Sequence, residues 1–290
     1  MIPSSDRNEL RLALPKGRMQ DAVFKLLADA GLPVRVGPRA YRPTFALSNV
    51  EAKLLKPQSI VEMLHTGSRD VGFAGADWVA ELGANLVELL DTGCDPVRIV
   101  AAAPAAIAGE LERQKPLVVA SEYQRLTEQW IRQRGFDARF VRSYGATEVL
   151  PPEDADCIVD NASTGATLLV NGLVVVDELM TSTTRLYASP AALERPELRA
   201  RIEDLTLLVR SVIEARSRVM IDLNVAASSL DAVVEVLPCM REATIAPLHG
   251  NGGFAIRAAV PKAELPRIVP AVKARGGTDI VVFSPAQIVP

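Results

Sequence analysis

The feature that most constrains the fold is a repeated unit of a short apolar strand, a turn and an amphipathic helix. Residues 10–14 form a mostly apolar strand candidate, a glycine-containing turn follows at 15–18, and apolar residues then recur at helical spacing over 19–30. The same order returns at 71–82 and at 117–135. Repetition of strand, turn and helix predicts an α/β protein.

The alternation extends over about the first 210 residues, which we interpret as two α/β lobes that form a cleft, as in periplasmic binding proteins. Lobe I is predicted over 1–103, completed by the chain at about 185–210, and lobe II over 104–184. Within lobe I, the pattern indicates a short strand at 98–102. Ligand crevices in open α/β sheets form at the carboxyl ends of the strands.

The last 80 residues follow another pattern. Apolar and polar residues alternate over 218–225, which predicts a half-buried strand. The pattern then predicts helix 228–237, strands 244–248 and 254–260 around the turn 250–253, helix 262–275 and strand 279–283. Pro266 and Pro270 should kink the second helix or fray its start. The order βαββαβ predicts a ferredoxin-like (ACT-like) domain over 211–290.

Composition excludes several classes of function. A net charge of −3 and an aromatic content of 4% argue against a nucleic-acid partner. The only histidines are His65 and His249, so a histidine-rich metal centre is excluded, and the three cysteines have neither disulfide nor zinc spacing. The sequence shows neither a signal peptide nor an apolar run of membrane-spanning length, so we expect a cytoplasmic protein without a membrane partner.

The strongest local motif is DNASTGATL at 160–168, which follows an apolar strand. The hydroxyls of Ser163, Thr164 and Thr167, together with free N–H groups at a helix start, can hold one anion. Gly165 lets the backbone approach such a ligand closely. The motif therefore indicates a phosphate site, and an ordinary helix cap is the alternative interpretation.

Cations and carboxylates near predicted turns complete the candidate set. Lys16 and Arg18 flank a glycine turn that could hold a polyphosphate, whereas Lys56 and Arg98 are isolated cations that matter only if they converge with the others. Glu148 and Asp160 could face a sugar, because carboxylates accept hydrogen bonds from vicinal hydroxyls and can bind Mg²⁺ through water. No P-loop, dinucleotide-binding glycine motif or nucleophile elbow is found.

Several motifs occur in a fixed order that resembles the ATP phosphoribosyltransferase family, in its long form with a C-terminal regulatory domain. The resemblance extends over about residues 10–285. It rests on LRLALPKGR at 10–18, LKPQSI at 55–60, DVGFAGAD at 70–77, RIVAAAP at 98–104, residues 123–135, IVDNASTGATL at 158–168, NGL at 171–173, STTRL at 182–186 and TIAPL at 244–248.

The resemblance implies a reaction and its partners. The 5-phosphoribosyl group of phosphoribosyl pyrophosphate is transferred to N1 of the adenine of ATP, with release of pyrophosphate and with Mg²⁺ as cofactor. This is the first step of histidine biosynthesis. Histidine is implied as a feedback inhibitor bound by the C-terminal domain, and a homo-oligomer (dimer and hexamer) is implied as the assembly.

The resemblance also implies roles for individual residues. The 5-phosphate site is implied at Ser163, Thr164, Gly165, Ala166 and Thr167, and the ribose hydroxyls are assigned to the catalytic carboxylates Glu148 and Asp160. The ATP and pyrophosphate site is implied at Lys16, Gly17, Arg18, Lys56, Asp77, Arg98 and Tyr123. The histidine site is implied at Asp222, Thr244 and Leu248. No metal ligand is identified.

Three segments depart from the family pattern, and two other functions stay open. Ala166 stands where family members often have Arg or Thr, the segment 143–148 differs from the usual Gly-Ser-Val-Glu, and 249–253 replaces a more acidic loop. A solute-binding module would also have two α/β lobes, although such proteins usually carry an export signal. A purely regulatory ligand-binding protein is the third hypothesis.

Overall fold

The computed structural model describes residues 9–37, 41–45, 47–113, 116–250 and 252–289. Two predictions concern residues outside these ranges. One is the absence of a signal peptide at the N-terminus, and the other is Asn251 in the turn predicted at 250–253. The chain divides into two compact units, with residues 32–206 forming most of the first and 207–290 most of the second. No helix in the described ranges is long and apolar enough to cross a membrane.

The first unit alternates strands and helices along the chain. In chain order its elements are β1 Leu10–Pro15, α1 Gln20–Asp29, β2 Val50–Leu55, α2 Pro57–His65, β3 Val71–Gly75, α3 Ala76–Leu82, β4 Val87–Pro104, β5 Leu117–Ser121, α4 Gln124–Arg134, β6 Ala138–Arg142, β7 Cys157–Ala162, α5 Ala166–Val170, β8 Leu173–Ala188 and α6 Pro190–Leu193. Helix α7, Pro196–Ser217, continues from this unit into the second, and the last residues of α1 also belong to the second unit.

One strand order occurs twice in the eight-stranded sheet, β2-β1-β3-β8-β4-β7-β5-β6. Lobe I has β2-β1-β3 as parallel strands followed by antiparallel β8, and lobe II has β6-β5-β7 as parallel strands followed by antiparallel β4. Strands β4 and β8 pair with each other along their length and pass through both lobes. This duplicated order confirms the predicted pair of α/β lobes.

The apolar runs of the sequence form the core because the helices cover the sheet on both faces. Leu12 and Leu14 in β1, Ile99 in β4, Val119 in β5 and Ile158 in β7 are fully buried. Strands that are buried on both faces require continuous apolar runs rather than alternation. The strand predicted at 98–102 is part of β4, which is much longer than predicted, because long-range pairing with β8 extends it beyond its apolar run.

The second unit contains the predicted order βαββαβ. Its elements are β9 Arg218–Val225, α8 Leu230–Val234, β10 Thr244–Pro247, β11 Phe254–Pro261, α9 Leu265–Ala274 and β12 Gly277–Phe283. The antiparallel sheet has the order β10-β11-β9-β12, which is the ferredoxin-like order. Pro266 lies in the first turn of α9 and Pro270 lies inside it, so the helix is shorter than predicted but continues past both prolines.

Candidate functional site

A cavity of about 440 Å³ lies between the lobes of the first unit. Its walls come from the ends of β1, β3, β5 and β7, from the crossing strands β4 and β8, and from the starts of α2 and α3. Among its lining residues are Lys16, Gly17, Arg18, Lys56, Asp77, Trp78, Glu122, Tyr123, Asn161 and Ser182. The carboxyl ends of the strands therefore converge on one opening, as expected for an α/β ligand site.

Three of the predicted cations line this cavity together. Lys16 and Arg18 stand in the turn after β1, where Gly17 adopts a φ of 84° that favours glycine. Lys56 precedes α2 and has extended backbone geometry at the start of that helix. Because β1 and β2 are neighbouring parallel strands, both turns open at the same edge of the sheet and concentrate positive charge there.

A second cavity of about 380 Å³ shares Lys16 and Lys56 with the first. It adds the cations Arg42 and Lys53, and Nζ of Lys16 lies 5.2 Å from the ring centroid of Tyr41. The sequence interpretation missed Arg42, Lys53 and Tyr41. The available signal was the high density of cations between residues 39 and 56, but the segments that carry them approach Lys16 only through the pairing of β1 with β2.

A hydrogen-bonded cluster connects the lobes at the cavity wall. The hydroxyl of Tyr123 in lobe II donates to Oδ2 of Asp77 in lobe I at 2.8 Å, and the hydroxyl of Ser182 donates to Oδ1 at 2.7 Å. The ring of Trp78 stacks on Tyr123 with 4.7 Å between centroids. Burial and the neighbouring Asp77 carboxylate raise the pKa of Tyr123, so its hydroxyl is a proton donor.

The two predicted catalytic carboxylates lie near each other in lobe II. Asp160 lies in β7, and Glu148 lies in a short 3₁₀ turn at Thr147–Val149. Burial, together with the charges of Glu148 and Glu122, raises the pKa of Asp160 to about 6, although the N–H of Asn161, which donates to its carboxylate at 2.7 Å, acts in the opposite direction. This concentration of negative charge would be relieved by a cation or by hydroxyl donors.

The predicted phosphate loop follows Asp160 and is open to solvent. Ser163, Thr164 and Thr167 are exposed, and Gly165 has a φ of 77° immediately before α5. The N–H of Ala166 donates to Oγ1 of Thr164 at 3.3 Å. Three hydroxyls are therefore accessible in one exposed loop, whereas the first N–H of the helix already has a partner within that loop.

Glu148, Asp160 and residues 163–167 are absent from the described lining of both cavities, and so is Arg98. The guanidinium of Arg98 forms an ion pair with Glu178 at 3.4 Å. Strand pairing places Arg98 opposite Ala162, at the end of β7 that leads into the phosphate loop. It is therefore closer to the Asp160 end of the site than to the Lys16 end.

In the second unit, two of the predicted inhibitor residues, Asp222 and Thr244, lie at the same level of the sheet, and Leu248 follows one of its strands. Thr244 pairs with Arg257, and Arg257 pairs with Asp222 on the next strand. The guanidinium of Arg257 binds both carboxylate oxygens of Asp222, at 2.9 and 2.8 Å, and this partner lowers the pKa of Asp222. Leu248 follows β10 and donates its N–H to the carbonyl of Gly253 at 2.9 Å.

The site's donors suit Mg²⁺ only together with a substrate. In the described part of the chain, no group of three or more His, Cys, Asp and Glu side chains could hold a metal ion by itself. Asp160 and Glu148 nevertheless supply two mutually repelling carboxylates. Mg²⁺ usually binds through one or two carboxylates plus substrate phosphates and water, so these residues fit that mode.

Comparison with known proteins gives matches along almost the whole chain. The profile described as "HisG: ATP phosphoribosyltransferase" matches residues 56–211, and "HisG, C-terminal domain" matches 215–285. Two curated relatives are each named "ATP phosphoribosyltransferase". The one from Pelotomaculum thermopropionicum is 32% identical over 97% of this chain and 100% of its own. The one from Chlorobaculum parvum is 33% identical over 97% of each chain.

One solved structure supports the fold. The "ATP phosphoribosyl transferase (HisG:HisZ) complex from Thermotoga maritima" matches with a TM-score of 0.61 at 24% identity. The match covers 69% of this chain and 98% of that chain. At this identity the similarity shows that the α/β architecture is shared.

Proposed function

The chain belongs to the ATP phosphoribosyltransferase family, and from this premise we propose which of its residues bind each substrate. As a member of this family it is a pentosyltransferase of the first step of histidine biosynthesis. The observation that carries the residue assignment is a cavity lined by both the cationic turn and the interlobe cluster, with Asn161, two residues before the phosphate loop, on its wall.

The phosphoribosyl pyrophosphate site is proposed in lobe II. The 5-phosphate is held by residues 163–167, where the exposed hydroxyls of Ser163, Thr164 and Thr167 are accessible to an anion. Asp160 and Glu148 accept hydrogen bonds from the ribose hydroxyls, which offsets the mutual repulsion of the two carboxylates. Arg98 is assigned to the pyrophosphate, because β4 places it beside this loop.

The ATP site is proposed in lobe I and at the interlobe cluster. Asp77 and Tyr123 contact the nucleoside, supported by their position on the cavity wall. The phosphates are bound by Lys16, Arg18 and Lys56. The second cavity extends this cationic surface through Arg42 and Lys53 for the end of the triphosphate. Bound phosphates would reduce the repulsion among these cations.

Mg²⁺ is proposed as the cofactor, and Asp160 and Glu148 are the residues that would help to hold it together with the substrate. When bound, it supplies positive charge against the departing pyrophosphate. The protein's own groups act alongside it. The cationic turns hold the phosphates in place, and the pair Asp160 and Glu148 fixes the ribose and favours positive charge developing at its anomeric carbon.

The reaction needs no protein nucleophile. Adenine N1 forms a bond to the anomeric carbon while the bond from that carbon to the pyrophosphate oxygen breaks, and the electron pair leaves with pyrophosphate. The protein's contribution is to hold the two substrates in line across the cleft, which converts a bimolecular encounter into an oriented one. The lobes supply one substrate site each, so their spacing sets this orientation.

Regulation, assembly and location are further parts of the proposal. We assign residues 1–103 with 185–210 to lobe I, residues 104–184 to lobe II and residues 211–290 to a regulatory domain. This domain is proposed to bind histidine as a feedback inhibitor at Asp222, Thr244 and Leu248, supported by the match to the family's C-terminal domain. A homo-oligomer built from dimers, up to a hexamer, and a cytoplasmic location are proposed from the family resemblance.

The proposed activity is tested with the purified chain, ATP, phosphoribosyl pyrophosphate and Mg²⁺. We expect formation of phosphoribosyl-ATP, detected by the absorbance of its chromophore, together with one equivalent of pyrophosphate. Omitting Mg²⁺ should abolish product formation, and adding histidine should inhibit it. Absence of product under conditions in which a control enzyme of the family is active would overturn the assignment.

A further inference from the structure

Helix α3 of lobe I directs two acidic side chains at the start of α4 in lobe II. Asp77 and Glu81 are four residues apart, so they lie on the same face of the helix. Both are buried, with 5% and 7% of their surface exposed. Asp77 accepts the hydrogen bond from Tyr123, the residue immediately before α4. Glu81 contacts the first turn of α4 itself.

Both carboxylate oxygens of Glu81 accept backbone hydrogen bonds from the other lobe. Oε1 accepts from the N–H of Arg125 and Oε2 from the N–H of Leu126, each at 3.0 Å. The first N–H groups of a helix have no partner within the helix, and the side chain of Tyr123 at the N-cap does not bind them. Helix α4 is therefore capped by a residue of lobe I, and the negative charge also suits the helix dipole.

The contact between the two helices extends beyond this cap. The ring of Trp78 in α3 stacks on Tyr123, and a Cβ on Gly83, directly after α3, would collide with the guanidinium of Arg125. Moving α3 away from α4 would break the cap, the Asp77 hydrogen bond and the ring stack together. It would leave the N–H groups and the Glu81 carboxylate without these partners until water reached them.

We propose that Glu81 is a positioning residue that holds the two lobes at the spacing required for the reaction. Glu81 is absent from the described lining of the cavity, so it acts through Asp77, Trp78 and Tyr123, which line it. We call the arrangement in the structure closed, and one in which α3 has moved away from α4 open. Without the Glu81 carboxylate the open arrangement becomes more populated, and each substrate must restore the closed one as it binds. The expected effect on turnover rests on the proposed substrate sites on either side of the cleft.

The test compares Glu81→Ala with Asp156→Ala. Asp156 provides a matched control, because its Oδ2 accepts the N–H of Val118 at 2.8 Å within lobe II alone. For Glu81→Ala without ligand, we expect a larger radius of gyration by X-ray scattering and a changed tryptophan emission, both reversed by ATP with phosphoribosyl pyrophosphate. If about a tenth of the variant molecules stay closed, the apparent affinity for each substrate falls about tenfold. We therefore also expect kcat/KM to fall about tenfold for both substrates. Asp156→Ala should lower Tm without changing the ligand-free scattering or emission.

Two further variants complete the test. Trp78→Phe in the Glu81→Ala background should remove the emission change, which assigns it to Trp78 rather than Trp130. Glu81→Gln keeps one acceptor oxygen and replaces Glu81→Ala if that variant does not fold.

A Glu81 variant with a lower Tm but wild-type scattering, emission and KM values would show that the residue only caps α4, and the proposal would be wrong. An inactive wild-type chain would instead contradict the proposed function, while scattering and emission would still test Glu81.

Discussion

Tyr123 and Asp77 form a 2.8 Å hydrogen bond that joins the two lobes at the wall of the substrate cavity. The bond is buried, and its acceptor is also bound by Ser182 on the crossing strand β8. A hydrogen bond to a charged group in such a place contributes more than an exposed one. The pair therefore couples the arrangement of the lobes to the shape of the proposed ATP site.

Tyr123→Phe should weaken the use of ATP. The variant removes the hydroxyl but keeps the ring that stacks on Trp78, so the wall keeps its shape. We expect kcat/KM for ATP to fall about 10- to 100-fold, in line with about 1.5–3 kcal/mol for a hydrogen bond to a charged group. Tyr187→Phe is the control, because Tyr187 is a buried tyrosine that does not line the described cavity wall. An unchanged kcat/KM for ATP in Tyr123→Phe would show that the hydroxyl does not contribute to the ATP site.

Asp160→Asn should strongly reduce turnover while leaving the fold intact. The amide keeps an oxygen that can accept the N–H of Asn161 but loses the negative charge that faces the ribose. We expect kcat to fall by about 10² to 10³, the range for loss of one electrostatic stabiliser. Asp154→Asn, at an exposed position of the same lobe, should retain activity. Circular dichroism and Tm establish folding, and near-normal kcat in Asp160→Asn would contradict its role.

Gly165→Ala should impair binding of phosphoribosyl pyrophosphate. Gly165 has a φ of 77° and open space around its Cβ position, so the substitution acts through the backbone alone. A left-handed conformation costs a non-glycine residue about 1–2 kcal/mol, which displaces the phosphate loop and should raise KM for phosphoribosyl pyrophosphate about tenfold. Gly109→Ala, at a site with open space and no positive φ, should be kinetically silent. Equal effects of both substitutions would argue against a specific loop geometry.

Arg257→Ala should alter histidine inhibition. The guanidinium of Arg257 occupies both oxygens of Asp222, which is the carboxylate proposed to bind the inhibitor. Removing this competitor should lower the histidine concentration for half-inhibition several-fold, whereas Asp222→Ala should raise it. The measurement is a histidine titration of the initial rate for both variants. Weaker inhibition in Arg257→Ala would show that the arginine instead helps to bind the inhibitor.

Asp177→Asn should reduce stability in a pH-dependent way. Burial raises the pKa of Asp177, but hydrogen bonds from Trp130 and Arg134, each at 2.8 Å, outweigh it and lower the pKa overall. A carboxylate with a lowered folded-state pKa stabilises the fold above its unfolded pKa of about 4, and this contribution is lost as pH falls through the folded value. The Tm difference between wild type and Asp177→Asn should therefore be largest near neutral pH and shrink in acid, below the unfolded pKa of the carboxyl. A difference that stays the same in acid would show that the charge contributes nothing.

Local patterns predicted the two lobes and the βαββαβ domain because helix and strand periods depend on neighbouring residues. The length of β4 and β8 was not predictable in this way, because it results from their pairing with each other across both lobes. The same limit applies to the site. The loop at 163–167 is visible in the sequence as a string of hydroxyls and glycine, whereas Glu81 is one acid among many until α3 and α4 are placed side by side.

Strands β4 and β8 also determine how this part of the chain can unfold. Each takes part in the sheet of both lobes, β8 between β3 and β4 in lobe I and β4 between β7 and β8 in lobe II, so both lobes lose hydrogen-bonding partners if either comes apart. The two substrate sites therefore belong to one cooperative unit. Heat or denaturant should remove both in a single transition, and a ligand that stabilises one lobe should protect the other against proteolysis.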